Sequence, residues 1–118
     1  MILTMLHSKL HRACVTQVDR HYEGSLGIDR ELVEQAGMMQ GQQIDVLNIN
    51  NGKRFTTYVL AEPAGSKTIG VYGAAAHLCE KGDRIIVIAY AQMEEDEAKR
   101  YRPVVLILDE QNNVVENA

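Results

Sequence analysis

A short helix-like run, a glycine and a strand occur twice in this chain. That repetition constrains the fold more than any other feature. One copy is LVEQAGMMQGQQIDVLNI and the other is AAAHLCEKGDRIIVIAY. Gly41 opens the approach to the first strand and Gly82 the approach to the second. Two such halves predict a pseudo-twofold closed β-barrel, whose interleaved strands leave no long open edge. The length of 118 residues suits one domain over 1–118, with no linker or low-complexity segment inside it. A chain this short buries a modest fraction of its surface, so self-association is expected.

Strand-like runs fill most of the remainder. MILTML leads, and QQIDVLNI (42–49) alternates around Ile44, Val46 and Leu47. NNGK (50–53) then supplies an Asn-Gly turn before RFTTYVLA (54–61), because Asn-Gly tolerates the positive φ that hairpins need. KTIGVY, DRIIVIAYA and PVVLILD follow. The last two are almost continuously apolar, which predicts burial on both faces. Helices are short. DRELVEQAG has Asp29 as N-cap, Gly37 as C-cap and an apolar face of Leu32, Val33 and Ala36. AAAHLCEKG reads as a second helix ending near Gly82, and AQMEEDEAKRYRP as a solvated helical turn before Pro103. The final DEQNNVVENA looks weakly paired.

With one Phe, five Tyr and no Trp, the core must be mostly aliphatic. A net charge of −4 argues against a general nucleic-acid binder, which normally carries a basic face. KLHR (9–12) and GKR (52–54) are cationic islands in this acidic background and could meet an anionic small molecule. Cys14 and Cys79 form no CxxC pair and read as buried or half-buried thiols in a reducing compartment. MILTMLHSKLHR does not read as a signal peptide, since its apolar run is short and the charges follow it. No window approaches membrane-spanning length, so a cytoplasmic protein without a membrane partner is expected.

No chemistry is announced by a standard motif. His7, His11, His21 and His77 lack zinc-site spacing, so no metal is expected. P-loop and GxGxxG patterns are missing. GVYGAAAH (70–77) is rich in small residues at a strand-to-helix junction, which fits close backbone packing or an anion met by free N–H groups. In HYEGSLGID (21–29), Gly24-Ser25 reads on its own as a turn.

Taken together, MLHSKLHRACVT, HYEGSLGID, NNGKRFTTYVL, GAAAH, GDRIIVIAYA and RPVVLILDE change that reading. In this order and over nearly the whole chain they resemble the bacterial aspartate 1-decarboxylases. The resemblance implies a double-psi β-barrel assembled as a homotetramer, which makes β-alanine from L-aspartate for pantothenate synthesis. It also implies a maturation step at Gly24-Ser25. Ser25 Oγ would attack the Gly24 carbonyl, and elimination and hydrolysis would leave a β chain of 1–24 and an α chain of 25–118 capped by a pyruvoyl group. That ketone would bind the substrate amine as a Schiff base, with neither pyridoxal phosphate nor a metal. Gly24 suits the step because no Cβ blocks the approach. An accessory maturation protein is a further partner that the resemblance raises.

The resemblance also implies residue roles. Tyr58 matches the proton donor, and a phenol keeps its proton at neutral pH. Thr57 matches a hydroxyl that contacts substrate and is linked to maturation. Arg54 matches the partner of a substrate carboxylate, which a guanidinium can hold by both oxygens. Lys9 is a second matching cation. Gly73, Ala74 and Ala75 match a segment that meets substrate through its backbone, and His11 and Tyr22 match pocket residues. Read from the strand pattern alone, Thr57 and Tyr58 face opposite sides, and Arg54 could be an ordinary solvated side chain after a turn.

One position departs from the family pattern. Relatives usually have Asn immediately before GAAAH, where this chain has Tyr72. A phenol is longer, bulkier and aimed differently from an amide. Tyr72 is therefore expected to narrow the pocket and slow maturation or turnover. Two rival readings stand beside the enzyme. One is a β-barrel binding module that never cuts itself. The other is a swapped-hairpin transcription regulator, which LGIDRELVEQAGMMQGQQIDVLNI resembles but the acidic charge disfavours.

Overall fold

A computed structural model describes all residues, 1–118. Strand β1 spans Ile2–Cys14, β2 Gln17–Asp19 and β3 Ser25–Asp29. Helix α1 covers Arg30–Ala36 and leads to β4 (Gln43–Asn48), β5 (Arg54–Glu62) and β6 (Ile69–Tyr72). A 3-10 helix over Gly73–Leu78 precedes β7 (Arg84–Glu94). Helix α2 (Glu95–Arg100), β8 (Val104–Leu108) and β9 (Val114–Asn117) complete the chain. The expected mainly-β fold with short helices is what forms.

The strands join in the order β2-β6-β3-β5-β4-β7-β1-β8-β9. The sheet is mixed, with β1 parallel to β8, β3 to β5 and β2 to β6. Its ends are the three-residue β2 and the four-residue β9, so no long edge is left open. One cluster of 20 buried hydrophobic residues draws on Ile69 and Val71 near one end and on Leu106 and Leu108 near the other. The sheet therefore curls around a shared core, as in a barrel. Strands β4 and β7, one from each copy of the repeat, pair antiparallel with Val46 opposite Val87. Gly41 (φ 83°) and Gly82 (φ 94°) both take positive φ. Their N–H groups donate to Val59 and Val15 carbonyls, each at 2.8 Å.

Several local expectations need correction. The first strand does not stop after MILTML but runs to Cys14. Its register shifts between Leu6 and Ser8 and again between His11 and Ala13, which breaks the period of two that sequence reading relies on. Strands β7 and β8 are not buried on both faces in the single chain. Ile85, Val87, Ala89, Leu106 and Leu108 face the core, while Ile86, Ile88, Val105 and Ile107 lie half-buried on the other side. The second helix is a 3-10 turn that begins at Gly73 and ends at Leu78, short of Gly82. The Asn48 amide, which donates to the Leu78 carbonyl at 3.1 Å, ends it there, and Cys79 follows in extended backbone. The Gly24-Ser25 pair is not itself the turn. The turn lies at residues 20–22, and Ser25 already starts a buried strand.

Other elements form as read. Helix α1 is capped by the Asp29 side chain, which accepts from the Glu31 N–H, and it ends at Gly37 in the left-handed conformation. Helix α2 buries no residue. All four residues of β9 are exposed, and they pair with β8. Both cysteines are free, Cys79 buried and Cys14 partly so. No helix is long and apolar enough to cross a membrane.

Candidate active site

Ser25 is the first residue of β3 and only 1% exposed. On one side it lies opposite Tyr72 of β6. On the other side β3 runs parallel to β5 with Leu26 opposite Val59, which brings Tyr58 alongside Ser25. The Ser25 hydroxyl donates to the Glu23 carbonyl at 3.1 Å. Gly24, just before it, is exposed.

Gly73 packs its backbone directly on Gly24. Its φ is +78°, and a Cβ placed there would stand 2.5 Å from Gly24 Cα and 2.8 Å from Gly24 N. No side chain fits at 73 without displacing the Gly24-Ser25 segment. The glycines of GVYGAAAH are thus close-packing positions, while Ala74 and Ala75 face an open groove.

Gly24, Thr57, Tyr58, Tyr72, Ala74 and Ala75 share the walls of one open groove of about 490 Å³. Thr57 and Tyr58 both reach it although they are strand neighbours. Tyr58 is 39% exposed, and Thr57, opposite Ile44, is half-buried.

Arg54, Lys9 and His11 are not in this groove. They lie on the outer face of the sheet. A row across it runs Arg54, Leu47, Ile86, His11, Ile107, and the next runs Thr56, Asp45, Ile88, Lys9, Val105. Arg54 and Tyr58 are four residues apart on one strand, about 13 Å at ordinary strand rise. From Arg54 to His11 is three strand spacings, about 14 Å. One chain alone therefore does not gather both cations at Ser25. His11 Nδ1 is buried with no hydrogen-bond partner. Burial, then the charges of Lys9, Arg12 and Arg84, hold its imidazole below the usual pKa.

Tyr72 takes an unexpected course. Its ring lies over the paired glycines Gly27 and Gly70, where any Cβ would collide with it. Its hydroxyl donates to Glu62 Oε2 and accepts from Gln17 Nε2, both at 2.8 Å. Tyr22 meets the ring edge-on at 5.0 Å between centroids. The phenol is engaged in a neighbouring groove lined by Gln17, Val18, Asp19, Tyr22 and Glu62. Sequence reading singled out Tyr72 and Tyr22, and Gly70 within GVYGAAAH, but missed Gly27, Gln17 and Glu62. A usable signal existed, since a glycine inside a strand run, as in SLGID and TIGVY, marks close approach by another group.

A buried serine starts a strand, the glycine before it meets only backbone, and a tyrosine lies alongside. The model of the aspartate decarboxylase family matches residues 1–115. The chain belongs to the aspartate decarboxylase family. It is 60% identical to an aspartate 1-decarboxylase of Maricaulis maris over 115 residues, which cover 98% of this chain and 95% of the relative. It is 57% identical to that of Caulobacter vibrioides over 95% of each chain. With the Phenylobacterium zucineum protein of the same name it shares 51% over 97% of each. The expectation of a carboxy-lyase is borne out by this membership.

Proposed function

We propose that the chain cuts itself between Gly24 and Ser25 and then uses the pyruvoyl group at position 25 to decarboxylate L-aspartate to β-alanine and carbon dioxide. The names of its relatives support the substrate and reaction. The observation that carries the self-processing is the Gly73–Gly24 contact beside a buried Ser25, a cradle that any Cβ at 73 would fill. In the first step Ser25 Oγ attacks the Gly24 carbonyl carbon. The C–O bond forms as the C–N bond breaks, so an ester replaces the amide and the Ser25 nitrogen becomes an amine. Removal of the Ser25 Cα proton expels the Gly24 carboxylate and leaves dehydroalanine. Its imine tautomer takes up one water and releases ammonia, leaving the ketone.

The chain's own residues then have distinct tasks. Once formed, the ketone supplies a sink for the electron pair left when carbon dioxide departs. Tyr58, on the strand that runs beside position 25, holds a proton at Oη and returns it to the substrate carbon. Thr57, Ala74 and Ala75 shape the groove around the substrate, and Gly73 keeps the backbone close. Arg54 and Lys9 bind the two carboxylates, and they do so from a neighbouring copy. This accounts for their place on an outer face that also carries Leu47, Ile86, Ile88 and Ile107. A homotetramer in the cytoplasm, feeding pantothenate synthesis, is the setting we assign.

Denaturing intact-mass measurement tests the first half. Two fragments split after Gly24 are expected, the larger lighter by one ammonia than a serine-ended chain. Ser25→Ala should stay whole and release no carbon dioxide from aspartate. A single uncut mass for the parent chain would favour the inert barrel instead. Diluting the processed enzyme until the assembly dissociates should abolish turnover. Full activity as a monomer would remove the shared site.

A further inference from the structure

Tyr72 touches the segment around the proposed cut in three ways. Its backbone pairs with Ser25. Its carbonyl oxygen stands 3.9 Å from where a Cβ on Gly24 would be. Its ring meets Tyr22, two residues ahead of Gly24, edge to face. That ring has little freedom. Gly27 and Gly70 form the floor on which it lies, and Gln17 and Glu62 fix its hydroxyl from β2 and β5. Gln17 donates and Glu62 accepts, so both roles of the oxygen are used. Burial first, and then the bond to Glu62, push the phenol up to about 12, which keeps its hydrogen in place at working pH.

Tyr22, by contrast, is 52% exposed. In segment 20–24 the Asp19 carboxylate holds the His21 N–H at 2.9 Å, and the Tyr72 ring holds Tyr22. The floor of two glycines matters because it lets a large ring occupy this place at all. Alanine at either position would require the ring to move.

Building on the self-processing reading above, we propose that Tyr72 is a positioning residue for the cut at Gly24-Ser25. Seated on Gly27 and Gly70 and anchored by Gln17 and Glu62, it clamps Tyr22 and so fixes the chain that leads into Gly24. This reverses the expectation that the bulk of Tyr72 slows maturation: with its hydroxyl held by Glu62 and Gln17, the ring serves the cut by steadying the chain's own backbone.

The test follows cleavage of the newly made full chain over time by intact mass. Tyr22→Leu should slow the cut by about tenfold, the scale of a loss of positioning. Tyr22→Phe, which keeps the ring, should cut at the parent rate. Tyr72→Leu should be slowed at least as much as Tyr22→Leu, and the double variant no more than the slower single, because both remove one contact. Should Tyr72→Leu fail to fold, the exposed Tyr22 pair still decides. A Tyr22→Leu chain that cuts at the parent rate overturns the clamp and leaves self-processing intact, as does a double variant whose two effects multiply. A parent chain that never cuts overturns the processing reading itself, and the clamp with it.

Discussion

The two copies of the helix-glycine-strand unit share a plan and differ in what their first residues touch. In the first copy, Asp29 caps α1, Leu32, Val33 and Ala36 go to the core, and Gly37 closes the helix where a Cβ would have room. In the second, no side chain caps the 3-10 helix, and its first residue rests on Gly24. The glycines make the contrast plain. Gly37 and Gly73 have nearly the same φ, 73° and 78°. A Cβ at 37 would meet only His7 Cε1 at 3.6 Å, an ordinary contact, whereas a Cβ at 73 would meet backbone at 2.5 Å. One unit spends its local features on stability, and the other gives up a cap to bring backbone against backbone.

The sharpest way to break this comparison is Gly73→Ala. The proposed cut should slow by about 100-fold, since the segment it displaces contains the carbonyl assigned to react. Cleavage at the parent rate would mean the close contact is incidental. Next in size is Asp29→Ala. The Asp29 carboxylate accepts from the Glu31, Gly65 and Lys67 N–H groups at 2.9, 3.0 and 2.9 Å. Three amides would lose their acceptor, and stability should fall by about 3 kcal/mol in a denaturant titration. A change within error would show that water replaces the carboxylate freely.

The same carboxylate has a pH signature. Burial would raise its pKa, but the amides of Lys67, Glu31 and Gly65 outweigh burial and bring it below the ordinary value of 3.8. Its contribution is therefore complete above the unfolded value and lost as pH falls through the folded one. Acid titration of Tm should be flatter in Asp29→Asn than in the parent, and identical curves would count against this assignment. The smallest effect belongs to Gly37→Ala. It should cost about 1 kcal/mol of stability through the left-handed backbone and leave cleavage unchanged. If it slowed the cut as Gly73→Ala does, the division of labour between the two units would be lost.

What could be read in advance depended on how local the cause was. The caps of α1, the solvated α2 and the repeat itself rest on neighbouring residues, and they were legible. Strand β1 was cut short because its two register shifts put His7, Ser8 and Arg12 out of phase. For Ser25 the dipeptide suggested a turn, and only pairing with β6 and β5 makes it the buried start of a strand. Tyr58 and Thr57 were found through the family pattern, since strand alternation separates them and only the groove reunites them. The glycine floor beneath Tyr72 joins residues 27, 70 and 72 across two strands, and no window of sequence displays it. Arg54 and Lys9 stand on the outer face, away from the groove that Gly24 and Tyr58 line, and that placement comes from pairing across strands which no window of sequence displays.

The burial of Ser25 has a consequence for the kind of cut this site can accept. Simple hydrolysis between Gly24 and Ser25 would create an α-ammonium where only 1% of the residue reaches solvent. A buried, unpaired ammonium costs several kcal/mol after relaxation. Strand β3 would then have to pull its end out toward water, away from Tyr58 and Tyr72. A route that expels the nitrogen leaves a neutral end, which can stay tucked between β5 and β6. On the proposed route, discarding ammonia would do more than build a ketone. It would give the chain a new terminus that its own interior tolerates.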